Sequence, residues 1–136
     1  METIIPEFEG VEEYAAEFSV IANEGVKSRK LAKMIEGFDN SPVLLIDFHH
    51  NIPGEVVSLS GLDDVLKKDA GVYKIMLFDS DDLGTNITEI SKKLSDNLAI
   101  LGSWTVIFTN AGKYCDLEAF RDFMESSDSV GRVVLV

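Results

Sequence analysis

The chain is poor in the side chains that carry covalent or redox chemistry. One cysteine, Cys115, leaves no disulfide possible within the chain. To act as a nucleophile, Cys115 would need a neighbouring histidine or cationic pocket to lower its pKa. The two histidines, His49 and His50, are far away in sequence, so Cys115 is expected to be a small packed residue ahead of a helix. Phosphate-cradling motifs are missing too: there is no G-x-G-x-x-G and no G-x-x-x-x-G-K-[ST]. Ala111-Gly112-Lys113 lacks the upstream glycine and reads as a loop. No G-x-S-x-G elbow presents a hydrolase serine.

Long apolar runs are absent as well. Stretches such as Trp104 to Phe108 are far shorter than the roughly 20 residues a membrane-spanning helix needs. The opening METIIPEFEG has neither a basic start nor an apolar stretch, so no secretory leader is expected. With a single cysteine, this fits a reducing cytoplasm. Basic residues are the other shortage: Lys and Arg number 12 against 24 Asp and Glu, a formal charge of −12. Such a balance argues against direct nucleic-acid binding, where basic residues must neutralise phosphates, and against docking on an anionic membrane.

What is present is ordinary globular material. Hydrophobic residues make up 46% of the 136 and charged residues 26%. A chain of this length buries roughly 70% of its unfolded surface, enough for one core. One α/β domain over 1–136 is therefore expected, with an N-terminal helical pair over 1–40 and an α/β core over 41–136. Val11, Tyr14, Ala15, Phe18 and Ala22 recur at helical spacing and predict a helix over about 9–23. A second helix is expected over about 26–38, with Lys27, Arg29, Lys30 and Lys33 on its polar face. From residue 41 the apolar runs VLLIDF, VYKIMLF, WTVIFT and VVLV alternate with helical stripes. The expected order is β-β-α-β-α-β-α-β: a mostly parallel sheet of four or five strands with helices on both faces.

In open parallel sheets, ligands gather at the carboxyl ends of the strands. Those ends here carry Asp47, His49 and His50, then Asp79, Asp81 and Asp82, then Thr109 and Asn110. Asp47, His49, Asp79 and Asp81 are the ligand types that hold a divalent metal able to activate water, which makes a metal-dependent hydrolase or phosphotransfer enzyme one reading. Strand alternation places Asp47 and His49 on one face and His50 on the other. An EF-hand loop at Asp79 to Gly84 is excluded, because its fifth and twelfth positions are Leu83 and Ile90.

The other reading is a protein-interaction domain that needs no cofactor. Residues 1–24 carry seven acids and no base. Glu9, Glu13 and Glu17 would form one acidic stripe on the first helix, suited to a basic protein partner approached by electrostatic steering or to pairing with the basic face of the second helix. The element order is similar to that of STAS domains, which often carry Asp-Ser-Ser-Gly at a helix start. Residues 79–84 read Asp-Ser-Asp-Asp-Leu-Gly, with Ser80 near the matching place, Asp81 where the second serine would be and the glycine late. The resemblance implies a small partner-binding switch. The expectation is thus a non-catalytic regulator or inhibitor of a protein partner.

Overall fold

Four aliphatic residues followed by an aspartate, all five buried, make up the strand Val43–Asp47 at the heart of the sheet. The computed structural model describes residues 18–20, 32–33, 35–37, 41–48 and 52–135. Six strands are seen among them: β1 (Phe18–Val20), β2 (Val43–Asp47), β3 (Glu55–Val56), β4 (Val72–Met76), β5 (Thr105–Phe108) and β6 (Arg132–Leu135). Their spatial order is β1-β6-β5-β2-β4-β3, and every pairing is parallel. A strand covered on both faces needs no polar alternation, which is why β2 and β5 read as nearly unbroken apolar runs.

Three helices, α1 (Leu62–Val65), α2 (Leu83–Ser95) and α3 (Glu118–Glu125), form the crossovers β3→β4, β4→β5 and β5→β6. All three crossovers step the same way along the sheet, so a uniform right-handed connection puts their helices on one face. The core has this arrangement. Leu62, Ile87, Ile90, Leu94, Phe120 and Phe123 pack on Leu44, Ile46, Val106, Phe108, Val133 and Leu135. The crossovers β1→β2 and β2→β3 step the opposite way and supply the other face. There Ile52, with Ile35 packed alongside, covers Val43, Leu45, Ile107 and Val134. Residues 32–33 and 35–36 are helical, in line with the helix expected over 26–38.

The expected helix over 9–23 is not what residues 18–20 form. They are a strand, with Phe18, Ser19 and Val20 in register with Val133, Val134 and Leu135. Phe18 and Val20 are strand formers, and β6 offers an open row of backbone donors and acceptors, so edge pairing overrides the helical spacing. That strand brings the sheet to six rather than four or five. The remainder of that expected helix lies outside the described residues. No helix among the described residues is long and apolar enough to cross a membrane.

Candidate functional site

Two neighbouring strands send their outgoing connections in opposite directions. The chain leaves β2 toward β3 and leaves β5 toward β6, on opposite sides, and β2 and β5 are neighbours. The carboxyl ends of these two strands are therefore the topological switch point, where α/β proteins place their ligands.

Two buried charges stand beside it. Asp47 closes β2 at 0% exposure, and Lys74, in the middle of β4, is 7% exposed. In the β2–β4 register Lys74 lies opposite Leu45, one step diagonal from Asp47, so both side chains fall on the face covered by Ile52. Lys74 Nζ lies 3.9 Å from Asp47 Oδ2 and donates a 2.6 Å hydrogen bond to the carbonyl of Ile52. A buried ammonium requires such partners, because burying an isolated charge is prohibitively costly. Lys74 thus pins the β2→β3 crossover onto the sheet while facing the carboxylate of the central strand.

The β5 side of the switch point is closed by Thr109. Its hydroxyl accepts from the Phe48 amide at 2.9 Å and donates to the Ile46 carbonyl at 2.8 Å, and its own amide donates to Ile46 O at 3.1 Å. The chain then turns through Asn110 in the left-handed region at φ 53°, a conformation asparagine tolerates better than most residues. Tyr114 returns to the same spot. Its hydroxyl donates to Thr109 O at 2.6 Å, and its ring stacks on Phe48 at 6.1 Å between centroids. Burial pushes the Tyr114 phenol well above its ordinary value, and the neighbouring Cys115 adds to the shift. The Cys115 thiol is also pushed up, first by burial and then by Asp116, against smaller opposing effects. That is the reverse of what an activated nucleophile requires.

The structure puts the proposed metal ligands in different settings. The strands that lead to Asp47 and Asp79 are adjacent, as a shared ion would demand. Asp47, however, is buried against Lys74. Asp79 is 73% exposed and is held 3.0 Å from Lys113 Nζ, and Asp81 is exposed. Among the described residues no group of three or more His, Cys, Asp or Glu could hold a metal ion. His49 and His50 lie outside the described residues, as do Glu9, Glu13 and Glu17.

A second feature lies toward the amino ends of β3 and β4, on the same face as Lys74. A cleft of about 260 Å³ is lined by Ile35, Glu36, Ile52, Pro53, Gly54 and Val72, with Ala32 on its helical side. Reading by strand ends misses this cleft, since it lies at the opposite end of the sheet. The Lys74–Asp47 pair did leave a signal in the sequence: one charge within each of two strands otherwise apolar enough to be buried. No family model matches the chain, and no curated protein or solved structure matches it.

Proposed function

We propose that this chain is a non-catalytic cytoplasmic interaction domain, a regulator or inhibitor of a basic protein partner. The observation that carries this reading is the occupancy of the switch point by the protein's own groups. Asp47 faces Lys74, the Thr109 hydroxyl is spent on β2 backbone and the amide that follows it, and Phe48 stacks on Tyr114. Carboxylates elsewhere stand in water: the side chains of Asp63, Asp64, Asp79 and Asp116 are 60%, 89%, 73% and 95% exposed. Exposed ion pairs of this kind are weak, about 0–1 kcal/mol each. With a net charge of −12, the surface is suited to steering a cationic partner.

The second reading, a divalent-metal hydrolase or phosphotransfer enzyme using Asp47, His49, Asp79 and Asp81, is favoured by the adjacency of β2 and β4. Thermal unfolding with Mg²⁺, Mn²⁺, Zn²⁺, Ca²⁺ or chelator separates the two. An ion at a hundredfold excess over its dissociation constant would add about 2.7 kcal/mol to stability. The interaction reading expects no shift. A rise of several degrees with one ion, lost in both Asp47→Asn and Asp79→Asn, would replace it with the metal reading. Affinity capture on the purified chain at low and high salt supplies the positive arm: retained proteins should be basic, release with salt, and bind again when purified singly.

A further inference from the structure

Two loops join across the carboxyl end of β2. In the sheet β2 lies between β4 and β5. The loop after β4 carries Asp79, the loop after β5 carries Lys113, and Lys113 Nζ donates to Asp79 Oδ2 at 3.0 Å. Strands lie about 5 Å apart, so this contact bridges loops whose strands are about 10 Å apart. Both loops lead to helices of one face, α2 and α3, and Phe48 leaves β2 on that same face. Its ring stacks on Tyr114, the residue next to Lys113. The ion pair therefore holds the turn that carries the stacking partner of Phe48.

Two features of the same turn oppose this arrangement. Asn110 sits in the left-handed region at φ 53°, a conformation that costs free energy for a residue with a side chain. Its Oδ1 is buried and accepts no hydrogen bond among the described residues, which costs more. Nothing blocks an outward swing at the tip, where a Cβ on Gly112 would meet no atom within 4 Å. Against these stand the Tyr114 hydroxyl on Thr109 O and the Asp79–Lys113 pair. With side chains 73% and 42% exposed, that pair is weak and sensitive to salt. We propose that it is a clasp over the switch point. Closed, it holds the turn from Asn110 to Tyr114 against Phe48. Released by rising ionic strength, it lets that turn unwind and uncovers the Phe48–Tyr114 stack, while the strands stay paired. The device needs no partner and stands apart from the interaction reading.

The test is amide hydrogen exchange of the full chain, read by NMR at about 0.01 M and about 1 M sodium chloride, where the screening length falls from about 30 Å to about 3 Å. The reporters are the Tyr114 amide, which donates to Ala111 O, and the Phe48 amide, which donates to Thr109 Oγ1. Leu44 and Val106, inside β2 and β5, serve as references. High salt should speed exchange at both reporters by about two- to fivefold relative to the references, the factor an exposed ion pair allows. Asp79→Ala leaves the sequence neighbours of both reporters unchanged. It should give the same rise at low salt and remove the salt dependence. The charge-swapped double variant Asp79→Lys/Lys113→Asp should return both to the parent's behaviour. Exchange at the reporters that ignores salt in the parent would overturn the proposal. So would a swapped variant as fast as Asp79→Ala, since side-chain bulk rather than charge would then hold the turn. A rise shared by Leu44 and Val106 would also overturn it, because the whole sheet would be opening.

Discussion

Lys74 and Asp47 are the pair on which the packing under Ile52 depends. With Asp47 at 0% and Lys74 at 9% side-chain exposure, removing one partner strands the other charge in the interior. Lys74→Met is expected to cost about 3–5 kcal/mol in denaturant unfolding, the range for a broken buried pair. The double variant Asp47→Leu/Lys74→Met should recover most of that loss, since a well-packed apolar pair is often neutral by comparison. A double variant as unstable as the single would mean that the Ile52 carbonyl, not the carboxylate, is what Lys74 serves. Tyr114 gives a pH signature. Its folded-state pKa is raised above the ordinary phenol value of about 10, so its contribution is fully present below that pH. It is lost as pH climbs past 10 toward the folded value. Stability measured across that range should fall less steeply in Tyr114→Phe than in the parent chain. At neutral pH the same substitution should cost about 1–3 kcal/mol, because the buried Thr109 carbonyl loses its donor.

At the scale of elements, β6 depends on a place where only a hydrogen fits. A Cβ on Gly131 would sit 2.8 Å from both the Gly102 and Trp104 carbonyl oxygens. Those are backbone atoms, fixed in part because the Gly131 and Arg132 amides donate to Leu101 and Trp104. Gly131→Ala should therefore push β6 off β5 and cost at least the roughly 1–3 kcal/mol of ordinary overpacking, read as a lowered melting temperature. Element type over 41–136 was legible from the sequence, since two-sided burial leaves unmistakable apolar runs and α2 has a clean stripe at Ile87, Ile90 and Leu94. Element starts were less legible. The Asn86–Glu89 pattern points to a helix start, yet α2 begins at Leu83 after Asp82, without a side-chain cap. Burial of Leu83 pulls one more turn into the helix. Asp116 stands where the sequence offers a cap for the following helix, yet the cap position of α3 is Leu117 and Asp116 pairs with Arg121. Ser60 with Asp63 three residues on has the spacing of a capping box, yet it is Ser58 that accepts from the Gly61 amide. Side-chain caps contribute only about 1 kcal/mol each, so packing decides these boundaries. β1 was illegible for a related reason: its partner lies at the far end of the chain, and no local pattern announces it. At the candidate site, Asp47 and Thr109 were visible as strand-end residues. Lys74 is legible only as a lone charge inside an apolar strand run, with nothing local to name Asp47 and the Ile52 carbonyl as its partners, and the cleft is built from three separate segments.

At the scale of the whole molecule, charge is the dominant imbalance. The −12 acts as self-repulsion in the folded state, and the exposed ion pairs contribute little against it. Raising salt shortens the screening length from about 30 Å at 0.01 M to about 3 Å at 1 M. The melting temperature should accordingly rise with sodium chloride. A fall would show that the surface pairs outweigh the repulsion. An all-parallel sheet also pairs residues distant in sequence throughout, so folding is expected on the slow side of single domains, in the millisecond-to-second range.

The pairing of residue 18 with residue 133 carries a consequence for the order of assembly. During synthesis β1 has no neighbour until β6 has emerged, because β6 is the strand it joins. Residues 18–20 must therefore wait, unpaired, while the four strands between them are made. A chain cut short before residue 132 would leave two vacancies in the sheet instead of one, and the exposed edge of β5 would become the natural seat for a stray strand from a neighbouring nascent chain.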